Sequence, residues 1–293
     1  MGNLSEMEQK TIEELKRISA RQAVSIEINP KKKPQITDSK FGGTPYWDMS
    51  RDYPKAEDGS LLMLLAQINL DELNREGKNV ENKLPRSGML QFFINLDDAY
   101  GMDFDYMADN SGRQEQKNFR VVYHKNIDYT VSVDEIKTLG MPDSAQEEFE
   151  ESPVWGEYGL DMEVKETYIG VEDYQFDEYF QRAAEAAGWK EVTEEKAEYH
   201  RAFSGEGIDA LFEELEPCGH WILGHPYFTQ YDPREGCGQK KKYSLQLFQM
   251  DSDYNDDDDY VMWGDAGVAN FFISEEDLAN EDFRDVLYSW DCA

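Results

Sequence analysis

The residues best equipped for chemistry gather toward the C-terminal end of the chain. In Asp251-Ser252-Asp253-Tyr254-Asn255-Asp256 the oxygen-bearing side chains alternate along a loop, a spacing that lets carboxylates turn toward one hard cation such as calcium. The pattern departs from an EF-hand twice: Asp256 stands where a glycine makes the turn, and Met262 where a bidentate glutamate closes the site. A solvated acidic hairpin loop accounts for the same residues, with a non-EF cation site at Asp251, Asp253 and Asp265 as the alternative. Close by, Trp263-Gly264-Asp265-Ala266-Gly267 sets two glycines beside an aromatic face and a carboxylate, so that a backbone could approach a ligand closely. A tight turn into the next strand, with Trp263 packed and Asp265 bonded to local amides, explains it equally. Cys218, His220, His225 and Cys237 present zinc-binding atoms, but their spacing matches no familiar structural site, so no metal is assigned. Neither GxxxxGK[ST] nor GxGxxG occurs, and no GxSxG elbow marks a nucleophile. With 62 acidic residues, two carboxylates at catalytic separation are expected by accident. No catalytic residue and no cofactor is assigned.

The elements that must carry these groups recur along the chain. GMLQFFINLDD (88–98) and GVANFFISEED (267–277) share Gly88/Gly267, Phe92/Phe271, Phe93/Phe272, Ile94/Ile273 and Asp98/Asp277 without a gap. Upstream, Gly43-Thr44-Pro45 lies over Gly224-His225-Pro226, Gln67 falls near Gln249, and Asp71 near Asp253. The runs LLMLLAQINL (61–70) and 89–96 are apolar on both faces, as central strands covered on each side must be. A glutamine buried in such a strand needs partners for both ends of its amide. The expected fold is one α+β domain over residues 1–293, with a mixed, largely antiparallel sheet. It is built from two duplicated units, about 41–124 and 218–292, separated by a helical, acid-rich insertion at 143–216. Ahead of the first unit, residues 5–20 read as an amphipathic helix with Ser5 and Glu8 at capping-box spacing, and Val24, Ile26 and Ile28 as a strand of period two. Within the insertion the best helix runs over 173–187, with Asp173 as N-cap and Gly188 at its end.

Charge narrows the partners. Against 29 basic residues the 62 acids give a net charge of −33, which opposes binding to a phosphate backbone or an anionic membrane. Any macromolecular partner is expected to be basic or neutral, with no nucleic acid and no membrane. Three cysteines, an odd number, suit a reducing compartment rather than a disulfide framework. The opening MGNLSEMEQKTIEELKRI carries charges where a signal peptide requires an apolar centre, and the longest apolar run is too short to span a bilayer. A soluble cytoplasmic protein is expected.

At HWILGHPYFTQ, LQLFQMDSD, MWGDAGVANFFI and VLYSWDC, and at FGGTPYW, LLAQINLDEL and LPRSGMLQFFINLDD, the chain resembles the YwqG-like family of bacterial proteins of unknown function. The resemblance covers most of residues 40–292 and implies an α+β fold with an internal duplication and a cytoplasmic bacterial setting. It brings no reaction, cofactor or catalytic residue. Charge and the lack of a catalytic motif lead to the expectation of a non-enzymatic acidic binding protein that engages a basic or neutral protein partner, as an inhibitor or immunity-type factor. The alternative is an enzyme, or a small-molecule or divalent-cation binder, using a cleft between the two halves with Gln67, Gln249, Asp251, Asp253, Trp263 and Asp265 as ligand-binding residues.

Overall fold

Strands that are apolar at every position need cover on both sides, and here the sheet supplies one side itself by curling. The computed structural model describes residues 4–102, 113–146, 149–235, 242–255 and 258–293. Its strands are β1 (Arg21–Asn29), β2 (Lys40–Gly42), β3 (Met63–Asn69), β4 (Met89–Ile94), β5 (Phe119–His124), β6 (Glu157–Thr167), β7 (His220–Ile222), β8 (Leu245–Asp251), β9 (Asp253–Tyr254), β10 (Asp259–Val261), β11 (Val268–Ile273) and β12 (Leu287–Asp291). The α-helices among the described residues are α1 (Glu6–Ser19), α2 (Leu70–Arg75), α3 (Val133–Lys137), α4 (Phe176–Ala187), α5 (Lys190–Glu195), α6 (Tyr199–Ala202), α7 (Gly205–Leu215) and α8 (Glu275–Ala279).

Ten strands form one antiparallel sheet in the order β12-β11-β8-β7-β1-β6-β2-β3-β4-β5, and β9 pairs with β10 as a separate hairpin. The large sheet reads alike from either edge, since β5-β4-β3-β2 and β12-β11-β8-β7 flank the central pair β6 and β1. Its edges approach one another. The Tyr288 N–H of β12 donates to the Arg113 carbonyl ahead of β5 (3.2 Å), and the rings of Phe119 and Tyr288 lie 5.0 Å apart, so the sheet is nearly closed into a barrel.

Period two then sorts the side chains. On β4, Leu90, Phe92 and Ile94 face the interior while Phe93 packs outside with Trp47, Tyr53 and Leu64. On β11, Ala269, Phe271 and Ile273 face the interior while Phe272 packs outside with Phe228, Tyr243 and Leu287. Inside, Phe92 stacks on Phe248 at 4.5 Å and lies 4.9 Å from Phe271, so the two halves share one aromatic centre.

A second apolar cluster holds the helices, with Ile12 and Leu15 of α1 against Phe176 and Phe180 of α4 and Leu211 of α7. Helix α1 starts with the expected capping box: Glu8 N–H donates to Ser5 Oγ (3.2 Å) and Ser5 N–H to Glu8 Oε2 (2.8 Å). No helix among the described residues is long and apolar enough to cross a membrane.

Two expectations need correction. The segment 143–216 is not wholly helical, because it contains β6, which pairs with β1 from Arg21↔Thr167 to Asn29↔Gly159 at the centre of the sheet. In β6 the inward Leu160 alternates with acids and lysines that face solvent, such as Asp161, Glu163 and Lys165, so charge hides the strand period. Helix α4 begins at Phe176, and Asp173 does not cap it. Asp173 instead accepts the Gln175 N–H (2.9 Å) and pairs with the buried Arg234 guanidinium (2.9 Å), whose desolvated charge requires a carboxylate more than the helix end does. Gly188 closes α4 as expected, in the left-handed conformation at φ 80°.

Candidate functional site

Gln67 sits on β3 between the inward-facing Ala66 and Ile68, so the pleat turns it outward beneath its own loop. There its Oε1 accepts the Tyr46 N–H (2.8 Å), and its Nε2 donates to the carbonyls of Ile36 (2.9 Å) and Asp38 (2.8 Å). Gln249 on β8 does the same: Oε1 accepts the Tyr227 N–H (2.8 Å), and Nε2 donates to the carbonyls of Pro217 (2.9 Å) and Gly219 (2.8 Å). Both side chains are fully buried. They act as struts that hold the Gly-x-Pro loops, and their amides are committed to the backbone. Four strands separate β3 from β8 in the sheet, so the two glutamines do not meet in one cleft.

Asp251 and Asp253 are brought together, and the agent is His220. The Asp251 N–H donates to His220 Nδ1 (3.0 Å), which leaves the proton on Nε2, 3.3 Å from Asp253 Oδ2. The Asp251 carboxylate accepts the N–H groups of Gly219 (2.7 Å) and Ser252 (2.9 Å), and burial pushes its carboxyl up. Trp263 is sealed in the core, 5.4 Å from the ring of Tyr100, while Asp265 is exposed. The turn between them closes when the Gly267 N–H donates to the Trp263 carbonyl (2.8 Å), and Gly264 takes φ 56°. The six residues therefore do not line one cleft. Chain spacing cannot reveal this, because one residue of register decides which face of a strand a side chain takes.

Among the described residues the zinc arrangement does not assemble either. His225 is buried with Nε2 against the Ser19 carbonyl (2.8 Å), away from His220, and Cys237 and Asp256 lie outside the described residues. Among the described residues no group of three or more His, Cys, Asp or Glu is placed to hold a metal. Loss of solvation around the sulfur, then the charges of Asp251 and Glu216, push the Cys218 thiol up, although the residue as a whole is exposed.

What stands out at the surface is the acidic hairpin. β9 and β10 pair through Asp259↔Tyr254 and Val261↔Asp253. Residues 153–155 add a third strip: Trp155 N–H donates to the Tyr260 carbonyl (3.3 Å), Met262 N–H to the Pro153 carbonyl (2.8 Å), and Val154 bridges Val261. This ribbon carries Tyr254, 54% exposed, and Trp155, 38% exposed, with Tyr260 edge-on to Tyr158 at 5.2 Å. Asp258 and Asp259 are exposed on the same ribbon, Asp253 faces His220, Glu157 pairs with Lys40 (2.6 Å), and Lys32 and Lys33 line a surface hollow with Trp155. Sequence reasoning found the hairpin but missed Trp155, whose only signal was a tryptophan in an otherwise acid-rich stretch.

No curated protein matches the chain. A family model does: the one described as a domain of unknown function (DUF1963) matches residues 39–292, and by that match over most of its length the chain belongs to the DUF1963 family.

Proposed function

We propose that the chain is a non-catalytic binding protein that engages a cationic protein partner through the ribbon made by β9, β10 and residues 153–155. The observation that carries this reading is the exposure of two large aromatic side chains, Trp155 and Tyr254, on one small ribbon whose hairpin also exposes Asp258 and Asp259. Trp and Tyr supply rigid contact area and dominate binding energy at interfaces. An arginine or lysine laid over such a ring meets a neighbouring carboxylate as well, so aromatic and acidic groups reinforce each other toward the same partner. The net charge of −33 adds longer-range attraction that salt screens. A partner whose basic surface binds nucleic acid would be masked by such a protein, which suits an inhibitor or immunity-type role.

The reading includes a reducing, cytoplasmic setting, supported by the odd cysteine count and by Cys218 and Cys292 as free thiols. It also takes the two halves as copies of one unit, supported by the matched struts Gln67 and Gln249 and by the mirrored strand order, and compatible with YwqG-like membership.

Affinity capture tests the central claim. The immobilised chain should retain a basic protein from bacterial lysate at low salt and release it at roughly 0.5 M salt. Trp155→Ala or Tyr254→Ala should weaken the purified complex about 10- to 100-fold, as interfacial aromatics do. Capture that ignores both salt and these substitutions would sink the reading.

A further inference from the structure

The two halves do leave a hollow between them, away from the six residues singled out as ligand-binding in the sequence. It encloses about 400 Å³, a size that accepts a small molecule. Its walls come from Arg21 at the start of β1, Gln175 ahead of α4, and Ser244 and Gln246 at the start of β8, with the turn at Val80–Asn82 supplying the first-half side. At Gly224 the wall is bare backbone, held at φ 90°, where an added Cβ would meet Ala23 Cβ and Thr167 Oγ1 at 2.7 Å.

The chain has 62 acidic residues for 29 basic ones, yet Arg21 forms no ion pair among the described residues. The other cation on the wall, Lys83, is already neutralised by Glu81 at 2.7 Å. The charge of Arg21 is felt at the adjacent His225, whose imidazole is held down to about 4 by burial first and by Arg21 second. Gln22, Gln175 and Ser244 on the wall are neutral and can donate hydrogen bonds without competing for the guanidinium, whereas Gln246 is already committed to Gln249 (2.7 Å) and Asn270 (3.2 Å), and Glu275 places one carboxylate on the same wall. A planar guanidinium presents two parallel N–H groups to an oxyanion, which is the recognition geometry of carboxylates and phosphates.

We propose that this hollow binds a small molecule through a carboxylate or phosphate group received by Arg21, with Gln175 and Ser244 bonding its polar remainder. The site is separate from the aromatic ribbon and stands or falls independently of it. Its ligand enters against the field of the whole protein, because a net charge of −33 repels anions everywhere else. Saturable anion binding by this chain is therefore diagnostic of a local site.

The test is calorimetric titration of the full chain with succinate and, separately, with inorganic phosphate, at constant ionic strength. At least one probe should bind saturably at one site per chain, and which one does so identifies the charged group. Arg21→Gln should weaken that binding at least about tenfold, the scale of a lost charge-assisted hydrogen-bond pair. Ser244→Trp, which fills the hollow, should abolish it, whereas Trp155→Ala on the ribbon should leave it unchanged. In the unaltered protein the bound probe should also protect Arg21 from phenylglyoxal, read by mass spectrometry, so the claim does not depend on any variant folding. Absence of saturable heat with both probes up to roughly 10 mM, a weaker affinity than any built site would show, overturns the proposal. So does unprotected Arg21.

Discussion

Glu216 accepts the Val171 N–H at 3.1 Å, yet burial pushes its carboxyl up to about 7, outweighing that hydrogen bond, and the nearby Glu172 adds to the shift. An unperturbed glutamate ionises near 4.5, so between 4.5 and about 7 the unfolded chain has lost a proton that the folded chain keeps. The stability that Glu216 contributes is complete below that window and lost as pH rises through it. Glu216→Gln keeps the acceptor for Val171 and removes the titration. The variant should exceed the parent by on the order of 2 kcal/mol at pH 8 and converge with it below about pH 4.5, measured by urea unfolding across pH. Equal stability at pH 8 would show that Glu216 ionises freely. His225 works in the opposite direction, since its folded value of about 4 lies below the ordinary 6.5, and its contribution is lost as pH falls. Gln67 and Gln249 offer a second prediction at this scale. Replacing either by leucine leaves one N–H and two carbonyls buried without their partner, which should cost on the order of 2–4 kcal/mol at each position. The burial of Gln67 was legible in the sequence, because a lone glutamine sat inside an apolar run, and Gln249 was matched to it only by position. Their direction was not, because nothing local to a strand says which face meets a loop.

Elements divide along the same line. Helix α1 was readable down to its cap because the capping box lies within four residues, and Ser5→Ala should lower stability by about 1 kcal/mol. Strands β3, β4 and β11 were readable because apolar runs covered on both faces leave few other structures open to them. Strand β6 escaped notice because solvent-facing acids and lysines interrupt its period, although it occupies the middle of the sheet. At the centre of the interior, Phe92 and Phe271 join the halves at 4.9 Å. Phe92→Ala and Phe271→Ala should each cost about 3–5 kcal/mol. The double variant should depart from additivity by about 0.5–1.5 kcal/mol, as contacting aromatics do, when the four proteins are compared by chemical denaturation. Strict additivity would mean that the two halves form separate cores.

On the scale of the whole molecule, 62 acids on one folded chain repel one another, and the repulsion is strongest at low ionic strength. Raising salt from low levels to roughly 0.5 M should raise the melting temperature, in contrast to a protein held up by surface ion pairs, and calorimetry at several salt concentrations reads the sign directly. The same field distinguishes the two proposed sites, since the ribbon works with it and the Arg21 hollow works against it. By itself the sequence determined the charge, the cap of α1, the two-faced strands and the burial of Gln67, because each depends on periodicity or composition within a short window. Only the tertiary structure decided that β1 and β6 form the centre of the sheet, that Trp263 is sealed while Asp265 is exposed, and that Arg21 shares a hollow with Gln246. Strand order and the meeting of distant faces arise from long-range pairing, which leaves no mark on neighbouring residues.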